Sequence, residues 1–262
     1  MTSTDFQTLQ YVQSGAAVTI TLNRPESANG MNDIMTRELA AAAEQADNEA
    51  TKVVVLTGAG RFFCAGGDLK AMAASPLGPG PFVKGIADDL HRAISTFARM
   101  DAVLVTVVNG VAAGAGFSLA VAGDLVLAAD KASFTMAYTR AGLSPDGSAS
   151  YYLPRLVGLR RAQELMLTNR TLSATEAQEW GLVNEVVEAE TLPRRVLEIS
   201  SQIASGAKQS NAAVKKLLLA SFGNDIETQM ALEADLIAAN ADGADGREGI
   251  DAFLNKRLPD FS

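Results

Sequence analysis

The sequence is poor in the residues that most often bind metals or act as nucleophiles. It has one cysteine, Cys64, and one histidine, His91. One cysteine excludes an intrachain disulfide and any multi-cysteine metal site. One histidine excludes multi-histidine zinc sites and leaves His91 as the sole base available to a serine–histidine–aspartate triad. Positive charge is short: 22 Lys and Arg face 30 Asp and Glu, for a net charge of −8. Such a surface repels phosphate backbones, so nucleic acid is not an expected partner. Long apolar runs are missing too. The longest weakly polar stretch, residues 110–123, falls short of the ~20 residues of a membrane span and is expected to be a buried helix. Residues 1–10 are polar and lack the apolar segment of a secretory leader, so a soluble cytoplasmic protein without membrane contact is expected.

What the chain does have is core material. Apolar residues make up 48% of 262 residues, enough to exclude global disorder and to fill one large domain or two small ones. Residues 18–22, 103–108 and 124–129 read as strands, and Lys52 to Gly58 is a continuous β-branched run typical of a strand buried on both faces. A helix is expected from Asn32 or Asp33 to Ala46, with either residue as cap. Phe82, Ile86, Leu90, Ile94 and Phe97 mark an amphipathic helix ending near Met100. Between these elements, residues 58–68 form a glycine-rich loop, and residues 75–81 hold three prolines and two glycines in an irregular connection. From Leu159 onward the pattern is helical: 159–167, 174–180, 192–205, 211–222, 226–239 and 247–254, with one strand at 182–187. Strands alternating with helices, then a helical tail, predict an α/β core with a C-terminal helical region. No internal repeat is visible.

Several familiar motifs fail. In Gly58-Ala59-Gly60 the third glycine of a dinucleotide fingerprint falls at Phe63, and no phosphate-binding P-loop is present. Gly116-Phe117-Ser118-Leu119-Ala120 is not a nucleophile elbow. Cys64 has only Arg61 as a nearby cation in sequence and reads as a buried structural thiol. Two glycine-rich segments hold more promise, Phe62 to Lys70 and Val108 to Gly116, each following a buried strand. Both expose backbone N–H groups unshielded by side chains, and two such groups converging on one oxygen make an oxyanion hole. Two tight turns with close backbone packing fit the same residues.

Taken in order, these segments resemble the enoyl-CoA hydratase/isomerase family, the crotonase superfamily. The resemblance is carried by Asn23-Arg24-Pro25, Asn29-Gly30-Met31-Asn32, Ala65-Gly66-Gly67-Asp68, Val108-Asn109-Gly110 through Gly116, Leu172-Ser173-Ala174 with Trp180-Gly181-Leu182-Val183, and Phe253 to Arg257. It implies a crotonase-like α/β fold, a spiral of ββα units with a C-terminal helical region. Residues 1–200 would form the acyl-CoA-binding core and 201–262 a helical trimerisation region. It implies a coenzyme A thioester as substrate, no separate cofactor, no metal, and a homotrimer or hexamer. By position, the N–H groups of Gly67 and Ala115 would hold the thioester oxygen. Ala65, Gly67, Asp68, Leu69 and Lys70 would line the coenzyme site, with Arg24 and Asn29 near its nucleotide end. Phe253 and Lys256 would reach a neighbouring subunit's coenzyme.

The resemblance also shows where this chain departs. The two glutamates of the hydratase members fall at Ser118 and Tyr138, neither of which replaces a carboxylate in acid–base chemistry. One acid remains in the acyl region, Asp146 in Leu143-Ser144-Pro145-Asp146-Gly147. Family isomerases place an aspartate there, and one carboxylate suffices to move a proton between two carbons of an enolate. Capping the helix that follows is the alternative role for Asp146. Three further readings stay open: hydration, binding of acyl-CoA without turnover, and hydrolytic dehalogenation of an aryl-CoA. In the last, Asp146 would attack the ring, His91 would activate water, and Tyr138 would stand where those enzymes use tryptophan to orient the aspartate. Phe82, Phe117, Phe134, Met136 and Tyr138 are expected to shape the acyl pocket, beside the small residues Ala112, Ala113 and Ala115, with residues 75–81 as its gate.

Overall fold

The structure, a computed structural model, describes residues 6–261. Residues 1–5, on which part of the leader expectation rests, lie outside that range. Strands β1 (Leu9–Ser14), β2 (Ala17–Leu22), β3 (Val53–Gly58), β4 (Phe62–Cys64), β5 (Val103–Val108), β6 (Val111–Ala113), β7 (Leu125–Ala129), β8 (Ser133–Thr135), β9 (Thr171–Ser173) and β10 (Glu185–Val187) form two sheets. The helices are α1 (Asp33–Ala46), α2 (Leu69–Ala74), α3 (Pro79–Arg99), α4 (Ala115–Ala120), α5 (Ala149–Val157), α6 (Leu159–Thr168), α7 (Ala174–Glu179), α8 (Leu192–Ala204), α9 (Lys208–Ala220), α10 (Ile226–Asp242) and α11 (Ala244–Leu254).

The larger sheet has the order β1-β2-β3-β5-β7-β10 and the smaller one β4-β6-β8-β9. Three times in succession, a strand of the larger sheet leads to a strand of the smaller one and then to helix: β3–β4–α2, β5–β6–α4 and β7–β8–α5. This is the ββα spiral. The repeat is one of geometry and leaves no trace in the residue order.

The inner strands β3 and β5 are covered on both faces, which is why they read as unbroken β-branched runs, whereas β1 and β2 alternate. Val54, Leu56 and Leu104 face a core shared with Met35 and Leu39 of α1 and Leu90 and Phe97 of α3. Val53, Val55, Val105 and Leu127 face the other way, against Leu192, Val196, Ile199 and Ile203 of α8. Helix α8 therefore belongs to the core layer although it crosses residue 200.

Two local expectations change. The stretch 110–123 is not one helix: β6 precedes α4, and Gly114 (φ 52°) turns the chain between them. Residues 69–74, unassigned from the sequence, form α2, and the end of the 75–81 connection is helical, because α3 starts at Pro79, three residues before Phe82. Proline suits the first turn of a helix, where its missing N–H has no partner to lose.

Candidate active site

Strand β4 pairs in parallel with β6, and β6 with β8. Parallel neighbours end at one sheet edge, so the loops leaving all three emerge together there, as ligand sites of parallel sheets commonly do. Those loops are Ala65–Asp68, Gly114–Ala115 and Met136–Tyr138. Gly66 (φ 95°) is the pivot of the first. A methyl group on it would stand 2.8 Å from the Ala113 carbonyl oxygen and 3.3 Å from the Ala115 nitrogen, so only glycine allows the two loops to touch. A cavity of about 110 Å³ opens where they meet, and Gly67, Ala115, Tyr138 and Asp146 all line it. The rest of the wall is largely apolar: Met31, Leu69, Met72, Val83, Ile86, Leu90 and Leu143.

Backbone pairing leaves two donors at this cavity. Met31 N–H donates to the Gly66 carbonyl and Asp68 N–H to the Met31 carbonyl, which brackets Gly67 without using its N–H. Ala115 opens α4, where N–H groups have no partner within the helix. Among the described residues none accepts a hydrogen bond from the N–H of Gly67 or Ala115. Free amide donors beside an apolar cavity are suited to a developing oxyanion.

Across the same cavity the Tyr138 hydroxyl donates to Asp146 Oδ1 at 2.5 Å and lies 2.9 Å from Ser118 Oγ. A phenol has one proton, so the Ser118 hydroxyl donates in the second bond. Ser118 is fully buried and Tyr138 nearly so. Burial, and then the negative charge of Asp146, push the Tyr138 hydroxyl far above the usual phenol range. Tyr138 is thus a fixed donor and not a base. Asp146 Oδ2 receives no hydrogen bond from the described residues, so one oxygen of this cavity-lining carboxylate is held and the other is free of protein donors.

The model of the family described as enoyl-CoA hydratase/isomerase matches residues 13–262. The chain belongs to that family. It is 39% identical over 256 residues to the 1,2-epoxyphenylacetyl-CoA isomerase of Escherichia coli K12, covering 97% of each chain. To a probable enoyl-CoA hydratase of Rhodobacter capsulatus it is 40% identical over 257 residues, covering 98% of each. Among solved structures, an enoyl-CoA hydratase from Polaromonas sp. JS666 superposes with a TM-score of 0.92 at 34% identity, covering 97% of this chain and 99% of that one. The protein is therefore an acyl-CoA-processing member of the enoyl-CoA hydratase/isomerase family with the crotonase-like α/β fold.

Within this family member the remaining expected residues fall into distinct places. Ala65, Leu69 and Lys70 are exposed, and Ala65 and Leu69 also line the cavity. Asp68 caps α2, accepting from the N–H groups of Lys70 (3.1 Å) and Ala71 (3.0 Å), and pairs with Arg24 at 3.1 Å. Arg24 also donates to the Gly30 carbonyl. Asn29 does not offer its side chain to a ligand. It is fully buried, donates to the carbonyls of Ala59, Phe62 and Phe63, and accepts from the Arg24 N–H, so it organises the β3–β4 turn. His91 stands outside the cavity wall, with Nε2 accepting from the Gly147 N–H at 3.1 Å. Phe253 in the last turn of α11 and Lys256 just beyond it are exposed and do not line this cavity. Phe117, Phe134 and Met136 are core residues and do not line the cavity, and neither do Phe82, Ala112 and Ala113. The apolar wall comes instead from α2 and α3, whose helical turns bring Met72, Val83, Ile86 and Leu90 together. The spacing of Ile86 and Leu90 signalled a buried face but not that it borders a cavity.

Proposed function

We propose that the protein is an enoyl-CoA isomerase in which Asp146 is the single acid/base and the N–H groups of Gly67 and Ala115 hold the thioester oxygen. The observation that carries this reading is the Tyr138–Asp146 bond. At the two positions where the resemblance puts hydratase glutamates, this chain has Ser118 and Tyr138, and both serve to hold one aspartate at the cavity. Asp146 takes a proton from the carbon next to the carbonyl of a 3-enoyl thioester. The electron pair moves onto the thioester oxygen, where the two amides stabilise it. Asp146 then returns the proton at the γ carbon and the double bond shifts into conjugation. Proton count is unchanged and no water is consumed. Each amide donor is worth about 100- to 1,000-fold in rate.

Ala65, Leu69 and Lys70 would contact the coenzyme arm, while Arg24 and Asp68 stiffen the loop beneath it. The helices beyond residue 201 would form the trimer contact, bringing Phe253 and Lys256 to a neighbouring coenzyme. The 1,2-epoxyphenylacetyl-CoA isomerase relative favours an aromatic acyl group as a second substrate class for the same carboxylate and amides. Dehalogenation is less well served, because the Nε2 lone pair of His91 is occupied by a backbone amide.

The reading is tested by offering matched 3-enoyl-CoA and 2-enoyl-CoA thioesters and resolving the products. Conversion of the 3-enoyl ester without 3-hydroxyacyl product is expected. Faster hydration of the 2-enoyl ester, halide release from a 4-halobenzoyl-CoA, or binding without turnover of any ester would each replace it.

A further inference from the structure

We propose that His91 is a positioning residue that sets the turn carrying Asp146, acting through a backbone amide rather than on substrate. This inference rests on the role proposed for Asp146. The amide is that of Gly147, the next residue. It is buried, and His91 Nε2 accepts its N–H at 3.1 Å. An acceptor at Nε2 uses the ring lone pair there, so this bond requires Nε2 without a proton.

The turn needs such a tie. Gly147 (φ 59°) and Ser148 (φ 66°) are both left-handed, and Ser148 pays the strain of a non-glycine residue in that region. A methyl group on Gly147 would meet Ser118 Cβ at 2.9 Å, so the turn is pressed against the residue that supports Tyr138. Leu90 packs on the turn from the reactive side, but an apolar contact fixes no orientation. On the far side lies a second cavity, of about 450 Å³, lined by His91, Ser95, Arg99, Ser148, Tyr151 and Tyr152. With so little packed there, the hydrogen bond from α3 holds that face of the turn. Asp146 is thus fixed on three sides: Tyr138 grips its carboxylate, the Ala149 N–H donates to its carbonyl at 3.2 Å, and His91 anchors the peptide that follows it. A misplacement of about 1 Å at a reacting group commonly costs around a hundredfold in rate.

Steady-state isomerisation of a 3-enoyl-CoA by His91→Leu, His91→Gln and Asp146→Asn tests this. Leucine removes the acceptor, and glutamine restores one at similar reach. His91→Leu is expected to lower kcat about tenfold or more with KM nearly unchanged, and His91→Gln to regain most of the loss. Parental kcat in His91→Leu would overturn the inference, and so would equal loss in both variants, which would make the ring a proton carrier. If melting curves show that His91→Leu does not fold, His91→Gln decides: retained turnover supports the role and lost turnover overturns it. An inactive Asp146→Asn beside a fully active His91→Leu defeats this inference alone. An active Asp146→Asn defeats the isomerase reading and this inference with it.

Discussion

Tyr138 shows how one residue changes meaning once it is folded. In the sequence it marks a missing glutamate. In the structure its buried hydroxyl keeps its proton and gives it to Asp146 in a hydrogen bond. Bonds to charged groups contribute roughly 1.5–3 kcal/mol, so Tyr138→Phe is expected to lower kcat about 10- to 100-fold, with substrate binding little changed, in steady-state assays. Asp146 itself was legible as the remaining acid of the acyl region. Its bond to Tyr138 was hinted at only through the resemblance, because Ala137 (φ 55°) turns the chain into Tyr138 and Gly142 (φ 72°) turns it again before Asp146, and no residue pattern announces such left-handed turns. Cys64 was read correctly as structural. Burial pushes its thiol up to about 12, against the smaller opposing effect of a bond from the Gly66 N–H. Iodoacetamide at pH 8 is therefore expected to leave the native protein unlabelled and to label it in denaturant, as mass spectrometry would read.

At the scale of elements, most long pieces were legible, though β1 was not, and most of the three-residue strands were missed, though β10 fell inside the expected strand 182–187. Runs such as Val53–Gly58 and the 82–97 apolar stripe carry several periods of their pattern. Strands β4, β6, β8 and β9 have three residues each, too few to show alternation, yet three of them deliver the site loops. The start of α4 offers a clean test of the amide pair. Ala115 is its first helical residue, where proline is well tolerated, and the preceding Gly114 (φ 52°, ψ −126°) accepts a following proline through glycine's freedom. Ala115→Pro is expected to fold but to lose about 100- to 1,000-fold in kcat/KM with the loss of one donor. The cap of α2 sets a pH dependence. Burial alone would raise the Asp68 carboxyl, but the Ala71 and Lys70 amides and Arg24 outweigh it and leave its pKa lowered. Stability from a lowered carboxyl is present above the unfolded value of about 3.9 and is lost as pH falls through the folded one. Melting temperatures of the parent and Asp68→Asn should accordingly differ at neutral pH and converge below about pH 4.

For the whole molecule, the question is what fastens the helical tail to the spiral. Lys215 of α9 lies buried, donating to the carbonyls of Phe97 (2.9 Å) and Ala102 (2.6 Å) and pairing with Asp124 at 2.8 Å. In the sequence it is one of three lysines of α9, directly followed by Lys216, with nothing to indicate that it is the one that points inward. Removing one partner of such a pair strands the other, so Lys215→Met should cost about 3 kcal/mol by denaturant unfolding. Farther along, α10 has no fully buried residue, while Ile237 (71%), Phe253 (83%) and Leu258 (90%) stand exposed. Surfaces of that kind mark association, consistent with the proposed trimer, and sedimentation of a Phe253→Asp, Leu258→Asp double variant should shift toward monomer. The chemistry, however, turns on one carboxylate. The most direct measurement compares Asp146→Asn with the parent in the double-bond shift of a 3-enoyl-CoA, with acyl-CoA binding followed by calorimetry. The account predicts unchanged binding and abolished turnover; turnover at the parental rate would contradict it.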